Sequence, residues 1–221
     1  MEDIEIINLW KAQNEKIEQS LAINRQLLKE VVNQKAESAL KSLIYFKRFG
    51  IVAAIFYLLT LAALLFYAIA NYSPAANYFI ISMGAIFLIN VKALADYIRH
   101  LVLAGNINYN GSVTEIQKQL NKLHLSIIQH SRVISLQFPF WTTFYLSNTW
   151  FPQSAGAPFL IFQIIFTVSS VVATVWFFKN QTFENMDKKW VQRNVAAAGG
   201  KSVSKAMAFY REIEEFGHEE N

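Results

Sequence analysis

Apolar residues in this chain gather into four stretches, and polar segments with helical periodicity separate them. Phe49 to Ala70 runs 22 residues without a formal charge, and Pro158 to Phe178 runs 21. A bilayer core takes roughly 20 apolar residues per helix. The two stretches therefore predict membrane spans over 49–70 and 158–178. Another begins at Tyr78 and stays uncharged to Val91. With the Lys92 ammonium reaching back to the headgroups, it predicts a span over 78–95. The last, Val133 to Phe151, is uncharged but contains Gln137 and Pro139. It predicts a span over 133–151.

The intervening segments predict amphipathic helices. Residues 1–48 contain neither Pro nor Gly. Ile6, Ile17, Leu28 and Ala39 recur every 11 residues, and Trp10, Leu21, Val32 and Leu43 do the same four positions later. Eleven residues make about three turns, so both series stay on one face of a nearly straight helix. One helix is expected to run through 1–48 into the first span. Its stripe can pack on its own protein, on a second copy or on another protein. Trp10, Ile17, Leu21, Leu28 and Val32 are the candidate association residues.

The central segment, 96–132, breaks at Gly105–Gly111. Ser112 and Glu115 then form an S-x-x-E capping box, the signature of a helix start. Val113, Ile116, Leu120, Leu123, Ile127 and Ile134 follow at 3–4 spacing, with His130 in the same stripe as a satisfied polar group. In the tail, 179–221, the fourth span is expected to continue through Ala198 and to stop at Gly199–Gly200. A last amphipathic helix, about Ser202–Phe216, carries Val203, Met207, Phe209, Tyr210, Ile213 and Phe216. The fold class expected is an all-α membrane protein, its four transmembrane helices extended into a cytoplasmic helical bundle.

Charge gives this topology a direction. All 20 Lys and Arg residues fall in 1–48, 92–132 and 179–221, whereas 71–77 and 152–157 carry no charge of either sign. Basic residues stay on the cytoplasmic side during insertion. A bacterial inner (plasma) membrane protein is expected, with both termini cytoplasmic and two short outer turns. Residues 1–10 have no basic n-region or cleavage site, so no signal peptide is expected. The three cytoplasmic segments are too evenly balanced in charge for a nucleic-acid surface. Lys41, Lys47 and Arg48, at the membrane edge, are expected to face anionic headgroups.

Composition narrows the chemistry further. The 221 residues are 53% hydrophobic and 16% charged, against ~25% charged in soluble domains. There is no cysteine, which excludes disulfides, thiolate catalysis and Cys-based metal sites. No nucleophile arrangement, P-loop, dinucleotide fingerprint or H-E-x-x-H helix is present. No enzyme activity, cofactor or bound metal is expected.

One polar cluster stands out at the inner end of the second span. Lys92, Asp96, Arg99 and His100 are spaced so that Asp96 can pair with each of the others along one helix face. Asn90 and Gln137 lie near the same depth. Interfacial anchoring is the main expectation for Asn90, Lys92, Asp96, Arg99 and Gln137. The alternative is a site in an oligomeric channel or transport-related protein. Gln163 is expected to hydrogen-bond across the bundle.

The stretch Glu5–Glu30, EIINLWKAQNEKIEQSLAINRQLLKE, with its Leu9-Trp10 pair, resembles the opening of a group of small uncharacterised four-span inner-membrane proteins of Bacteroidetes-type bacteria. Their genes often lie near those of extracytoplasmic-function sigma factors. The resemblance implies a role in membrane-linked control of transcription, in which the cytoplasmic helices hold a sigma factor. Together these readings predict a non-enzymatic regulatory or scaffold protein. The lipid bilayer, further copies of the chain and a cytoplasmic protein are its expected partners.

Overall fold

In the computed structural model, the backbone is described for residues 2–219 and the side chains for 10–211, except Ala12 and Arg25. Ile6, Ile213 and Phe216 of the expected stripes lie outside the described side chains. Helix α1, Glu2–Ala70, is continuous. Its sequence explains why: it contains no proline, and its one glycine, Gly50, lies against the Tyr97 ring. At 1.5 Å per residue α1 is about 100 Å long. A turn containing the 3-10 helix Pro74–Ala76 leads into α2, Asn77–Gly105. Helix α3, Val113–Ser135, starts where Ser112 Oγ accepts the Glu115 N–H at 3.2 Å. Then come α4, Phe138–Trp141, and α5, Ala157–Asn180. The chain ends in α6, Lys189–Val195, a π-helical turn, Ala196–Gly200, and α7, Lys201–Glu219. No strand occurs among the described residues.

The apolar faces bury into two cores. One joins Val32, Ala36, Leu40 and Leu43 of α1 to Ala104 of α2, Ile116, Leu120, Leu123 and Ile127 of α3, and Val191, Val203, Ala206 and Tyr210 of the tail. The other joins Leu61 of α1 to Met83 and Ile86 of α2, with Phe140 and Phe144 packed against it. The three charged segments thus share one core at one end of the molecule. Three helical stretches, within Gln13–Ala70, Pro74–Gly105 and Ala157–Asn180, are long and apolar enough to cross a membrane. Their outward faces carry large exposed apolar side chains such as Phe56, Leu59, Ile81, Ile161 and Ile165.

The segment 133–151, expected as one helix, is not one. α3 stops at Ser135, α4 makes barely one turn, and the chain beyond runs in turns to Gly156. Pro139 lacks a backbone donor. The Thr142 and Thr143 hydroxyls bond the carbonyls of Pro139 and Phe140, at 2.7 and 3.3 Å, and so compete with helix propagation. The segment still runs beside the N-terminal half of α2: Gln137 lies beside Asn90, Thr143 beside Ser82 and Phe151 beside Tyr78. α5 then returns, and Arg132 of α3 ties its end by donating to the Phe178 carbonyl at 2.8 Å.

The expected run of the fourth span through Ala198 is also interrupted. Helix α5 ends at Asn180, and Thr182 is extended before the short 3-10 helix Phe183–Asn185. Asn185 donates to the Asn180 carbonyl at 2.7 Å, so short polar side chains replace the helical ladder here. Gly199, with φ 97°, makes the final kink and presses against Leu43. No other residue type adopts that conformation cheaply.

Candidate functional site

A buried polar junction lies where the apolar helical stretches meet the charged bundle. Ala36, Leu40, Leu43 and Lys47 follow one another at 3–4 spacing on the buried face of α1, so the helix carries a lysine into the interior. Lys47 is fully buried. Its Nζ donates to the Ala198 carbonyl at 2.8 Å and lies 4.0 Å from the Tyr97 ring centroid, within cation–π range. Asp96 of α2 accepts from Lys92 at Oδ1 and from His130 Nδ1 of α3, 3.3 Å from Oδ2. The His130 ring lies 5.0 Å from that of Tyr97 and stands edge-on to His100 at 5.7 Å. Both ring nitrogens of the fully buried His100 lack a hydrogen-bond partner.

Burial pushes the His130 imidazole down to about 4, helped by the nearby Lys47 ammonium, while the bond to Asp96 pulls the other way. The ring is therefore neutral at pH 7, and Asp96 selects the tautomer protonated on Nδ1. Burial also lowers His124, which lies edge-on to Phe183 at 6.3 Å. The junction holds three helices and the C-terminal kink in one register. Acidification can load a proton onto it.

The structure rearranges the cluster expected on α2. Lys92 and Asp96 do pair. Arg99 is exposed and makes no ion pair with a described residue, and Asp96 turns to His130 on α3 rather than to His100. Asn90 and Gln137 meet across helices at 3.0 Å, and Asn90 also donates to the Ile86 carbonyl at 2.8 Å. Lys47 corrects the expectation of a headgroup-facing side chain. Its register with Leu40 and Leu43 carried the signal, which its neighbour Arg48 masked.

A second polar knot crosses the irregular segment. Gln163 of α5, 2% exposed, donates to the Thr142 carbonyl at 2.6 Å and accepts from the Tyr145 hydroxyl at 2.7 Å. Thr142 also bonds Thr167 at 3.1 Å, and Ser82 bonds Thr143 at 2.8 Å. The Thr142 carbonyl, freed by the broken helix, thereby finds a partner inside the protein.

The candidate association stripe divides in two. Val32 is buried in the bundle core. Lys29 donates to the Gly111 carbonyl at 2.8 Å and Asn33 to the Tyr109 carbonyl at 2.9 Å. On the N-terminal side of this collar, Leu28, Leu21, Ile17 and Trp10 are exposed, Trp10 at 72% and Ile17 at 52%. Residues 10–28 of α1 thus project about 27 Å with an uncovered apolar face. Among the described residues no group of three His, Asp or Glu side chains is placed to hold a metal ion. No protein-family model, curated protein or solved structure matches the chain.

Proposed function

We propose that the protein is a non-enzymatic scaffold of the bacterial inner membrane, which presents the N-terminal arm of α1 in the cytoplasm to a second copy of itself. Four crossings are part of this reading. The three charged segments share one core, so every excursion from it must return, and 137–151 runs beside residues 78–90 of α2. Its non-helical backbone is partnered from within the protein: Gln163 donates to the Thr142 carbonyl, and the Thr142 and Thr143 hydroxyls donate to the carbonyls of Pro139 and Phe140. The positive residues then all lie on the cytoplasmic side.

The uncovered stripe of Trp10, Ile17, Leu21 and Leu28 carries the proposal. It continues, in the same eleven-residue register, the face that Val32 and Leu43 bury inside the bundle. Water drives burial of such a face, with about 25 cal/mol gained per Å². The arm also carries both charge signs along its length (Lys11, Glu15, Lys16, Glu18), which suits an antiparallel copy of itself. Leu21→Lys with Leu28→Lys tests this, because both side chains are exposed and the bundle does not need them. The wild-type mass in detergent is expected to be at least twice that of the double variant. A monomeric wild type, or a variant of unchanged mass, contradicts self-association. A cytoplasmic protein, such as a sigma factor, co-purifying in stoichiometric amount with a monomeric wild type assigns the arm to that partner instead.

A further inference from the structure

A cavity of about 640 Å³ opens between α6 and α7, lined by Met186, Lys189, Gln192, Arg193, Val195, Ala196, Gly200, Lys201 and Ser204. Three of its side chains are cations and none is an acid. Among the described residues no carboxylate lies within ion-pair distance of Lys189, Arg193 or Lys201. All three are exposed, and nothing in the fold of α6 or α7 requires a positive charge at those positions. The cations come from both sides of the Gly199 kink, which folds α7 back so that Lys201 faces the side of α6 bearing Lys189 and Arg193. On the other side of Lys201 a second cavity of about 470 Å³ adds Lys35 and Lys205, with Ser38, Ser42 and Ser202 as hydroxyl donors. It too has no acidic lining residue.

The depth of the first cavity is fixed by aromatic rings. Trp190, beside Lys189, stacks 5.1 Å from Trp176 and 5.6 Å from Phe177, at the inner end of α5. Tryptophans at such helix ends lie at headgroup level. Met186, Val195 and Ala196 give the cavity an apolar floor beneath its cationic rim. That combination matches a phosphate oxyanion attached to a less polar group.

We propose that this cavity binds a phosphate-bearing anion, with Lys189, Arg193 and Lys201 as the charged ligands and the Ser204 hydroxyl as a further donor. Arg193 supplies a planar fork of N–H donors suited to two phosphate oxygens, and the lysines supply point charges. The expected source is the phosphate of an anionic phospholipid in the inner leaflet. This source rests on the membrane placement proposed above, whereas the cavity's demand for phosphate does not.

The test uses the full chain in neutral detergent, with native mass spectrometry and titration of short-chain phosphatidylglycerol, short-chain phosphatidylcholine and inorganic phosphate. Wild type is expected to bind phosphatidylglycerol at least tenfold more tightly than phosphatidylcholine. Lys189→Gln, Arg193→Gln and Lys201→Gln combined should abolish that preference. Lys118→Gln, Lys122→Gln and Arg211→Gln combined, all exposed and with the same change in net charge, should leave it intact. Lipid binding that equimolar inorganic phosphate does not displace assigns the phosphate to a headgroup. Displacement by inorganic phosphate, or binding of inorganic phosphate alone, assigns it to a soluble phosphate and still supports the site. Equal binding of the two lipids with no phosphate bound, or a preference unchanged in the cavity variant, overturns the proposal. Circular dichroism of the variants confirms folding, since all the substituted side chains are exposed.

Discussion

The Tyr210 hydroxyl donates to Asn33 Oδ1 at 2.7 Å across a sequence separation of 177 residues. Asn33 in turn donates to the Tyr109 carbonyl. This chain of two bonds fastens α7 and the α2–α3 turn to α1. Burial holds the Tyr210 phenol above the usual tyrosine range, so it remains a donor across the physiological span.

Tyr210→Phe keeps the buried ring and removes the donor, leaving Asn33 Oδ1 without it. A loss of about 1–2 kcal/mol is expected for such a group. It should appear as a lower thermal midpoint in detergent and as faster proteolysis of α7. An unchanged midpoint would mean that the α7 clasp contributes nothing to the bundle.

Acid should loosen the junction. His130 is held at about 4 in the folded chain, against about 6.5 when unfolded. Between those values the unfolded chain binds a proton that the folded chain refuses. Stability is therefore fully present above about pH 6.5 and falls as pH drops toward 4. His124 acts with the same sign. The contribution of His130 is on the order of 3 kcal/mol. Thermal midpoints measured from pH 7.5 to pH 4 should decline more steeply for wild type than for His130→Gln. Parallel curves would remove His130 as a source of the pH dependence.

Lys47→Met tests the same junction from α1. The methionine fills a similar volume without a charge, so the positive neighbour that disfavours protonated His130 is gone. The imidazole titration followed by NMR should move up from about 4. A titration that stays in place would show that burial alone sets it.

Gln163 should matter more than its single position in α5 suggests. Gln163→Leu leaves the Thr142 carbonyl and the Tyr145 hydroxyl without their partner. A cost of about 1–3 kcal/mol per unsatisfied group is expected, read as a fall in thermal midpoint and in folded yield from membranes. Gln163→Glu, which keeps an acceptor for Tyr145 and, while protonated, an O–H donor for the Thr142 carbonyl, should fall between wild type and Gln163→Leu at a pH where it is neutral. Wild-type stability in Gln163→Leu would show that the irregular segment needs no support from α5.

Much of the helical layout was legible because local signals set it. The Pro-free run to Ala70, the break at Gly105–Gly111, the Ser112 cap and the Gly199 kink all act within a few residues. The path of 136–156 was not legible in the same way. Pro139 signalled trouble, but beside the local Thr142 and Thr143 hydroxyls the path is held by Ser82, Gln163 and Thr167, partners distant in sequence. The end of α5 at Asn180 depended on Asn185 turning back onto it, which an apolar-span reading overlooks. Lys47 was misread because charge outweighed register: a basic pair at a membrane edge suggests headgroups, yet position 47 continues the buried series through Leu40 and Leu43. Asp96 offered three local partners at helical spacing, and the structure pairs it with Lys92 and with His130 of another helix, the kind of choice only tertiary packing makes.

Site-directed labelling of unique cysteines measures the topology directly, since the chain has no cysteine of its own. Ser20→Cys, Ser73→Cys, Ser154→Cys and Ser204→Cys all replace exposed side chains. Treated with a membrane-impermeant maleimide in spheroplasts, the Ser73 and Ser154 variants should react, and the Ser20 and Ser204 variants should react only after the membrane is opened. Labelling of Ser20→Cys and Ser204→Cys from opposite sides would mean an odd number of crossings, and would contradict both the return path of 137–151 and the shared cytoplasmic bundle.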